Sequence, residues 1–394
     1  MTAVISATGL WTPQDTISNE ELVATFNQYV EQWNLENKDA IVKGELNAID
    51  YSSAEFIEKA SGIKSRHVIS KEAILDPDIM APRYPERADE EPSILAEISV
   101  KAAQNALEKA GRDPKDVDAV IISCSTLPRS YPALAIEVQK LLGISGFAFD
   151  MNVACSSAPF GVEIARGLML GGQARSVLVI SPEICTAWAN FRDRTSHFLF
   201  GDVAAAILIE DKEIAPSDHW EIIGTKLETD FSNNIRNNFG FLNPCETDED
   251  LRNTEDYKYS RKYLLSRYGL TDKLFVQNGR RVFKEIVPFV AKTIKNECEK
   301  YDISTDQLKR MWLHQANLNM NSLIAKKVMG KEVNMDRSPM VINDHGNTSS
   351  AGSVVAFHKY SDDFNHGDVG ILCAFGAGYS IGSLCLKRIK SATS

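Results

Sequence analysis

The sequence predicts an α/β fold made of two duplicated halves, each a parallel or mixed sheet covered by helices on both faces. Three observations predict it. Apolar runs of strand length, such as Val117 to Cys124 and Ser176 to Ile184, alternate with segments of helical periodicity. The pattern then repeats. Residues 117–123 match 308–314 at an offset of 191, Cys155-Ser156-Ser157-Ala158 matches Thr348-Ser349-Ser350-Ala351 at 193, and Val177 to Ser181 matches Val369 to Cys373 at 192. Finally, 394 residues exceed what one simple core accommodates. The halves divide as 1–213, with a helical insertion near 19–50, and 214–394, with an insertion near 230–272.

Taken in order, Thr2 to Ala7 reads as a strand closed by Gly9 and Pro13. Asn19 to Asp50 is charged and helix-prone, carries Leu22, Phe26, Val30 and Trp33, and reads as an insertion at the periphery of the core. Ser61-Gly62-Ile63 is a turn between a helix and a strand, and Asp76 to Pro92 is a loop. From Ser93 a helix leads through Asp113-Pro114 to the strand Val117 to Cys124. The helix Ala133 to Leu142 leads to the strand before Cys155. Phe160, Ile164 and Leu168 stripe the next helix, which Gly171-Gly172 stop, and the strands Ser176 to Ile184 and Val203 to Glu210 follow. In the second half the strand ending at His314 precedes the helix Leu318 to Met329. Phe375-Gly376-Ala377-Gly378-Tyr379 is a turn able to aim backbone N–H groups inward.

Composition narrows the class. A net charge of −10 argues against nucleic acid or an anionic membrane as the main partner. No apolar run approaches the ~20 residues of a membrane span, and Met1 to Pro13 lacks the basic start of a signal peptide. The seven cysteines (124, 155, 185, 245, 298, 373, 385) are scattered and odd in number, which fits reduced thiols in a cytoplasmic protein.

Cys155 lies where an apolar run ends in Ala154-Cys155-Ser156-Ser157-Ala158-Pro159 and a helix begins. Unpaired N–H groups and the positive end of the helix dipole beside a thiol favour the thiolate. Taken alone, Cys155 is equally a small core-filling residue, His314 a structural histidine, and Asn347 a turn residue. As a set they say more. A nucleophile and two neutral hydrogen-bond donors each sit at a turn before a helix, and pseudo-two-fold packing brings such strand ends together. Donors converging on a carbonyl oxygen stabilise an enolate or a tetrahedral intermediate. Gly376, Gly378 and Gly382 echo a dinucleotide fingerprint, but too few residues follow for a βαβ unit. The histidines show no metal spacing, so neither a metal nor another cofactor is expected.

Four motifs then carry a resemblance: Ala154-Cys155-Ser156-Ser157-Ala158, His314-Gln315-Ala316-Asn317, Gly346-Asn347-Thr348-Ser349-Ser350-Ala351 and Phe375-Gly376-Ala377-Gly378. On these, and on Arg194 through Phe200-Gly201-Asp202, the chain resembles the β-ketoacyl-acyl-carrier-protein synthase III family of the thiolase-like superfamily. Its two long insertions make it similar to the β-ketodecanoyl-acyl-carrier-protein synthase branch, which elongates a medium-chain acyl-CoA, typically octanoyl.

The resemblance implies a thiolase-like, five-layer αβαβα fold and the decarboxylative condensation of an acyl-CoA with malonyl-acyl-carrier protein in fatty-acid synthesis. It implies that Cys155 carries the acyl group and that His314 and Asn347 hydrogen-bond the malonyl thioester carbonyl. The N–H groups of Cys155 and Ala377 would form the oxyanion hole. Phe56 stands where the family has a tryptophan that stacks on the CoA adenine, Ala60 where it has an arginine, and Arg194 matches the other side of that clamp. Tyr131 matches the aromatic residue that a dimer partner inserts at the end of the acyl tunnel, so a homodimer is implied. Lys284 matches a lysine that docks the carrier protein, and Arg280 and Arg281 add charge beside it. The same three residues would also make an ordinary solvated helix face. Other readings of the scaffold are another acyltransferase, such as a thiolase or a condensing enzyme of secondary metabolism, a non-catalytic subunit that binds acyl carriers, and a cysteine hydrolase. A thiolase needs a second cysteine where this chain has Phe375.

Overall fold

Each half of the chain contributes a run of strands in the same spatial order, and the two runs meet edge to edge. The structure, a computed structural model, describes residues 1–237, 274–330 and 333–391. In the first half, β1 (Ala3–Trp11), β2 (Ala119–Ser123), β3 (Phe147–Met151), β4 (Ser176–Ile184) and β5 (Asp202–Asp211) lie in the order β1-β5-β4-β2-β3. In the second, β6 (His219–Ser232), β7 (Leu308–Leu313), β8 (Val369–Gly376) and β9 (Gly378–Ile389) lie as β6-β9-β8-β7. The sheet is mixed: β2 is parallel to β3 and β4, and β7 to β8, while the other pairings are antiparallel. The two runs are joined at their edges by the pairs Val4↔Glu221 and Ile5↔Trp220.

Helices complete the layers. They are α1 (Asn19–Glu36), α2 (Ile94–Ala110), α3 (Leu134–Leu142), α4 (Ser157–Leu170), α5 (Gly279–Lys300), α6 (Leu318–Met329) and α7 (Gly352–Lys359). Alternate residues of β4 face opposite ways, as strand geometry requires. Leu178 and Ile180 pack on α2 and α3. Val177 and Val179 pack on a central layer, where α4 supplies Val162 and Ala165 and α7 supplies Val355 and Phe357. Beyond the second-half strands, α5 and α6 close the far face through Ile294, Ile324 and their neighbours. The result is the helix–sheet–helix–sheet–helix stack expected of a thiolase-like fold.

Two details refine the sequence reading. The 3₁₀ turn 154–156, with Ala154 at φ 49°, corresponds to the turn 349–351, with Ser349 at φ 46°. The structural offset is therefore 195 rather than 193, and Cys155 corresponds to Ser350. Residues 19–50 are more than a surface addition. A capping box of Ser18 and Glu21 starts α1, and the i, i+4 stripe Leu22, Phe26, Val30 is fully buried with Ile57, Phe198 and Phe200. The expected insertion at 230–272 lies largely outside the described residues, as does Cys245, while Asp230 to Ser232 simply end β6.

Candidate active site

The strand β3 ends at Met151, and the chain reverses through hydrogen bonds of its own. The Asn152 carboxamide oxygen accepts the Ala154 N–H at 2.9 Å, and Ser157 Oγ accepts the Val153 N–H at 2.8 Å. This Asx-type turn delivers Cys155 to the start of α4. Its sulfur lies 3.5 Å from the Ser349 hydroxyl and receives the backbone N–H of Ala377. The β8–β9 turn comes this close only because Gly376 has no side chain: a Cβ there would stand 2.7 Å from Cys155 Cβ. Cys155 keeps an opening onto a cavity of about 540 Å³, whose wall includes Ser349, Ala377, Phe200, Phe231 and Phe275.

Burial pushes the Cys155 thiol up to about 11, the Ser349 and Ala377 donors pull it down, and the carboxylate of Glu183 pushes it further up. This corrects the expectation that the helix start by itself favours the thiolate. Loss of water outweighs the hydrogen-bond donors at the sulfur here. Deprotonation needs a further agent.

His314 follows β7 directly. Its N–H donates to the Cys373 carbonyl at 2.8 Å, and Asn321 Nδ2 donates to its carbonyl at 2.8 Å. The ring lies edge-on to Phe375 and is only 2% exposed. Burial lowers its pKa to about 4, against a smaller opposing effect of the Ser349 backbone. The imidazole is therefore neutral at ordinary pH, a hydrogen-bonding group rather than a cation.

Asn347 is held by backbone bonds to Leu199 (2.7 Å) and from Gly201 (3.2 Å). Its Oδ1 accepts the Ser349 N–H at 2.9 Å, which identifies Nδ2 as the donor end of the carboxamide. Ser349 thus touches all three expected members: the Cys155 sulfur, the Asn347 carboxamide and the surroundings of His314.

Ser349 was quoted in the sequence motif without a role. Glu183 and Ser125 were missed altogether. Glu183 is fully buried and accepts from both Ser125 and Ser350, and Ser125 Oγ lies 2.9 Å from Ser349 Oγ. The available signal was a lone carboxylate in an apolar strand, which is costly to bury without partners.

The expected substrate contacts fall elsewhere. Arg194 lies over the Phe56 ring, 4.1 Å from its centroid, and its Nε donates to the Tyr51 carbonyl at 2.7 Å. Tyr131 is 84% exposed. Arg280, Arg281 and Lys284 are all exposed on the first turns of α5. Trp188 lines both the Cys155 cavity and a second cavity of about 650 Å³, which is walled by Leu95, Leu127 and Ile184 and runs to Ser130 beside Tyr131.

Residues 149–231 match the family described as 3-oxoacyl-[acyl-carrier-protein (ACP)] synthase III, and residues 298–388 match its C-terminal counterpart. Over 365 residues the chain is 51% identical to the beta-ketodecanoyl-[acyl-carrier-protein] synthase of Pseudomonas aeruginosa, covering 92% of this chain and 99% of that one. It is 30% identical to a beta-ketoacyl-[acyl-carrier-protein] synthase III of Cereibacter sphaeroides, over 88% of this chain and 94% of that one. In fold it resembles the crystal structure of 3-oxoacyl-[acyl-carrier-protein] synthase III from Aquifex aeolicus. The TM-score is 0.72 at 22% identity, covering 98% of this chain and 99% of that one.

Proposed function

Since the chain belongs to the 3-oxoacyl-[acyl-carrier-protein] synthase III family, we propose that it condenses a medium-chain acyl-CoA with malonyl-acyl-carrier protein, releasing carbon dioxide and a β-ketoacyl-acyl-carrier protein. It is an acyltransferase of fatty-acid synthesis. Cys155 takes the acyl group from CoA as a thioester. His314, neutral, and Asn347, through Nδ2, hold the malonyl thioester oxygen as negative charge develops on it, so that decarboxylation leaves a stabilised enolate. The enolate carbon attacks the acyl-cysteine, and the N–H groups of Cys155 and Ala377 receive the resulting oxyanion.

The observation that carries this reading is the meeting at Ser349 of the thiol, the carboxamide and the imidazole's surroundings, beside an Ala377 N–H that already points at the sulfur. The apolar cavity beyond Trp188 suits the acyl chain, with the exposed Tyr131 beside it available to a second copy of the chain in a homodimer. Among the described residues no helix is long and apolar enough to cross a membrane. The six described cysteines are unpaired, which supports a cytoplasmic setting. Intact-protein mass spectrometry after incubation with acyl-CoAs of increasing length tests the proposal. An adduct on Cys155 that peaks at medium chain length is expected, and absence of any adduct at Cys155 would refute it.

A further inference from the structure

Glu183 takes no part in the chemistry above, yet the fold spends a fully buried carboxylate on it. It is the penultimate residue of β4, on the same parity as Val177 and Val179, so its side chain turns toward the central layer. Its Oε1 accepts the N–H groups of Ser125 (2.9 Å) and Ser350 (3.3 Å) and the Ser350 hydroxyl. Its Oε2 accepts the Ser125 hydroxyl at 2.7 Å. Ser125 Oγ in turn lies 2.9 Å from Ser349 Oγ, which lies 3.5 Å from Cys155 Sγ. Resting on the reading of Cys155 as acyl carrier, we propose that Ser349 and Ser125 form a proton relay from the Cys155 thiol to Glu183.

Hydroxyl valence sets the direction. An ionised carboxylate only accepts, so Ser125 must give its proton to Glu183. Ser125 can then only accept from Ser349, and Ser349 can only accept from the thiol. Every proton in the chain points from sulfur to carboxylate. Moving each one step leaves a thiolate at Cys155 and a neutral carboxylic acid at Glu183, and the whole chain reverses so that Ser349 donates to the sulfur.

One S–H bond breaks, one O–H bond forms at Oε2, and a single negative charge passes from oxygen to sulfur. The alternative, a thiolate beside an ionised Glu183, would bury two like charges. The other titratable groups facing Glu183 are Cys124, Cys185 and Asp202, all acids. Glu183 keeps the proton while Cys155 is acylated, and the departing CoA thiolate is protonated from solvent. When the β-ketoacyl product separates, the proton returns along the chain to the freed Cys155 thiolate. Glu183 acts through the two serines and is a positioning and proton-holding residue.

The test is the pH dependence of Cys155 alkylation by iodoacetamide, followed by mass spectrometry on the full chain, with acylation measured in parallel. Because thiolate plus carboxylic acid and thiol plus carboxylate carry the same number of protons, the native rate should be flat from pH 6 to 8. Ser125→Ala breaks the chain of hydroxyls that stabilises a thiolate beside a neutral Glu183, so that the thiolate then forms by loss of a proton to solvent; alkylation should rise about tenfold per pH unit and acylation at pH 7 should fall at least tenfold. Ser125→Thr keeps the hydroxyl and should restore the flat profile. Glu183→Gln should match Ser125→Ala; should it fail to fold, the serine variants decide. A native profile that rises tenfold per unit, or a Ser125→Ala profile as flat and fast as the native one, would overturn the relay. A flat alkylation profile without any acylation would leave the relay standing and remove the condensing role of Cys155 instead.

Discussion

Arg194 rests on the face of Phe56, its guanidinium carbon 4.1 Å from the ring centroid. Two residues that the family resemblance assigns to opposite sides of an adenine clamp are thus already in contact, so a CoA adenine has to part them or stack on the outside of the pair. A cation–π contact at an accessible site contributes about 0.5–1 kcal/mol. Phe56→Ala should raise KM for acyl-CoA roughly two- to fivefold and leave KM for malonyl-acyl-carrier protein unchanged. Steady-state kinetics with each substrate varied in turn checks this, and equal changes in both would remove Phe56 from the CoA site.

Asn347 and Cys155 should fail at different steps. Cys155→Ala should form no acyl-enzyme. Asn347→Ala should accumulate it and then slow condensation by roughly 10²–10³, the usual cost of one lost oxyanion donor. Rapid-quench mass spectrometry separates the two steps, and a native condensation rate in Asn347→Ala would reassign that residue.

Gly376→Ala places a methyl group 2.7 Å from Cys155 Cβ and 3.0 Å from its sulfur. Overpacking of this kind costs roughly 1–3 kcal/mol. A lower unfolding temperature is expected together with a loss of acylation larger than the loss of CoA binding. Calorimetry and an acylation time course measure the two effects.

His314 gives a pH dependence of defined sign. Burial holds its folded pKa at about 4, while the unfolded chain titrates near 6.5. Between those values the unfolded state binds the extra proton, so this histidine's contribution to stability is complete above pH 6.5 and is lost as pH falls toward 4. His197 and His345, both lowered to about 3 chiefly by burial, add in the same direction. Asp202, raised by burial to about 6, opposes them: the stability it forgoes is forgone as pH rises through 6. Thermal unfolding from pH 7 to 4 should show a falling midpoint, and His314→Gln should make the fall shallower. An equally steep fall in that variant would count against the buried neutral imidazole.

Reversing charge at Arg281 and Lys284 should raise KM for malonyl-acyl-carrier protein several-fold and weaken its salt dependence, since exposed charges act mainly on encounter. Loading of Cys155 from acyl-CoA should be unaffected. Parallel loading and condensation assays across ionic strength check the point.

Much of the fold was legible in the chain itself. Alternation along Ser176–Ile184 and the helical stripe after Cys155 report local geometry, and both elements formed where expected. The register of the internal repeat is not legible in the chain, because small residues around Thr348-Ser349-Ser350 fit two registers almost equally and the paired positive-φ residues Ala154 and Ser349 separate them. Nor is the burial of α1, whose composition looks solvent-facing although one stripe is wholly buried.

By itself the sequence determined a duplicated α/β scaffold and the presence of a thiol, an imidazole and a carboxamide each at a turn before a helix, because backbone periodicity and turn chemistry are local properties. Tertiary structure decided that Ser349 reaches Cys155 from 194 residues away, that Glu183 stands two hydroxyls behind it, and that the thiol is harder to ionise than a helix start suggests. Those outcomes depend on which groups exclude water from the sulfur and which donors replace that water. Both are properties of packing between distant segments.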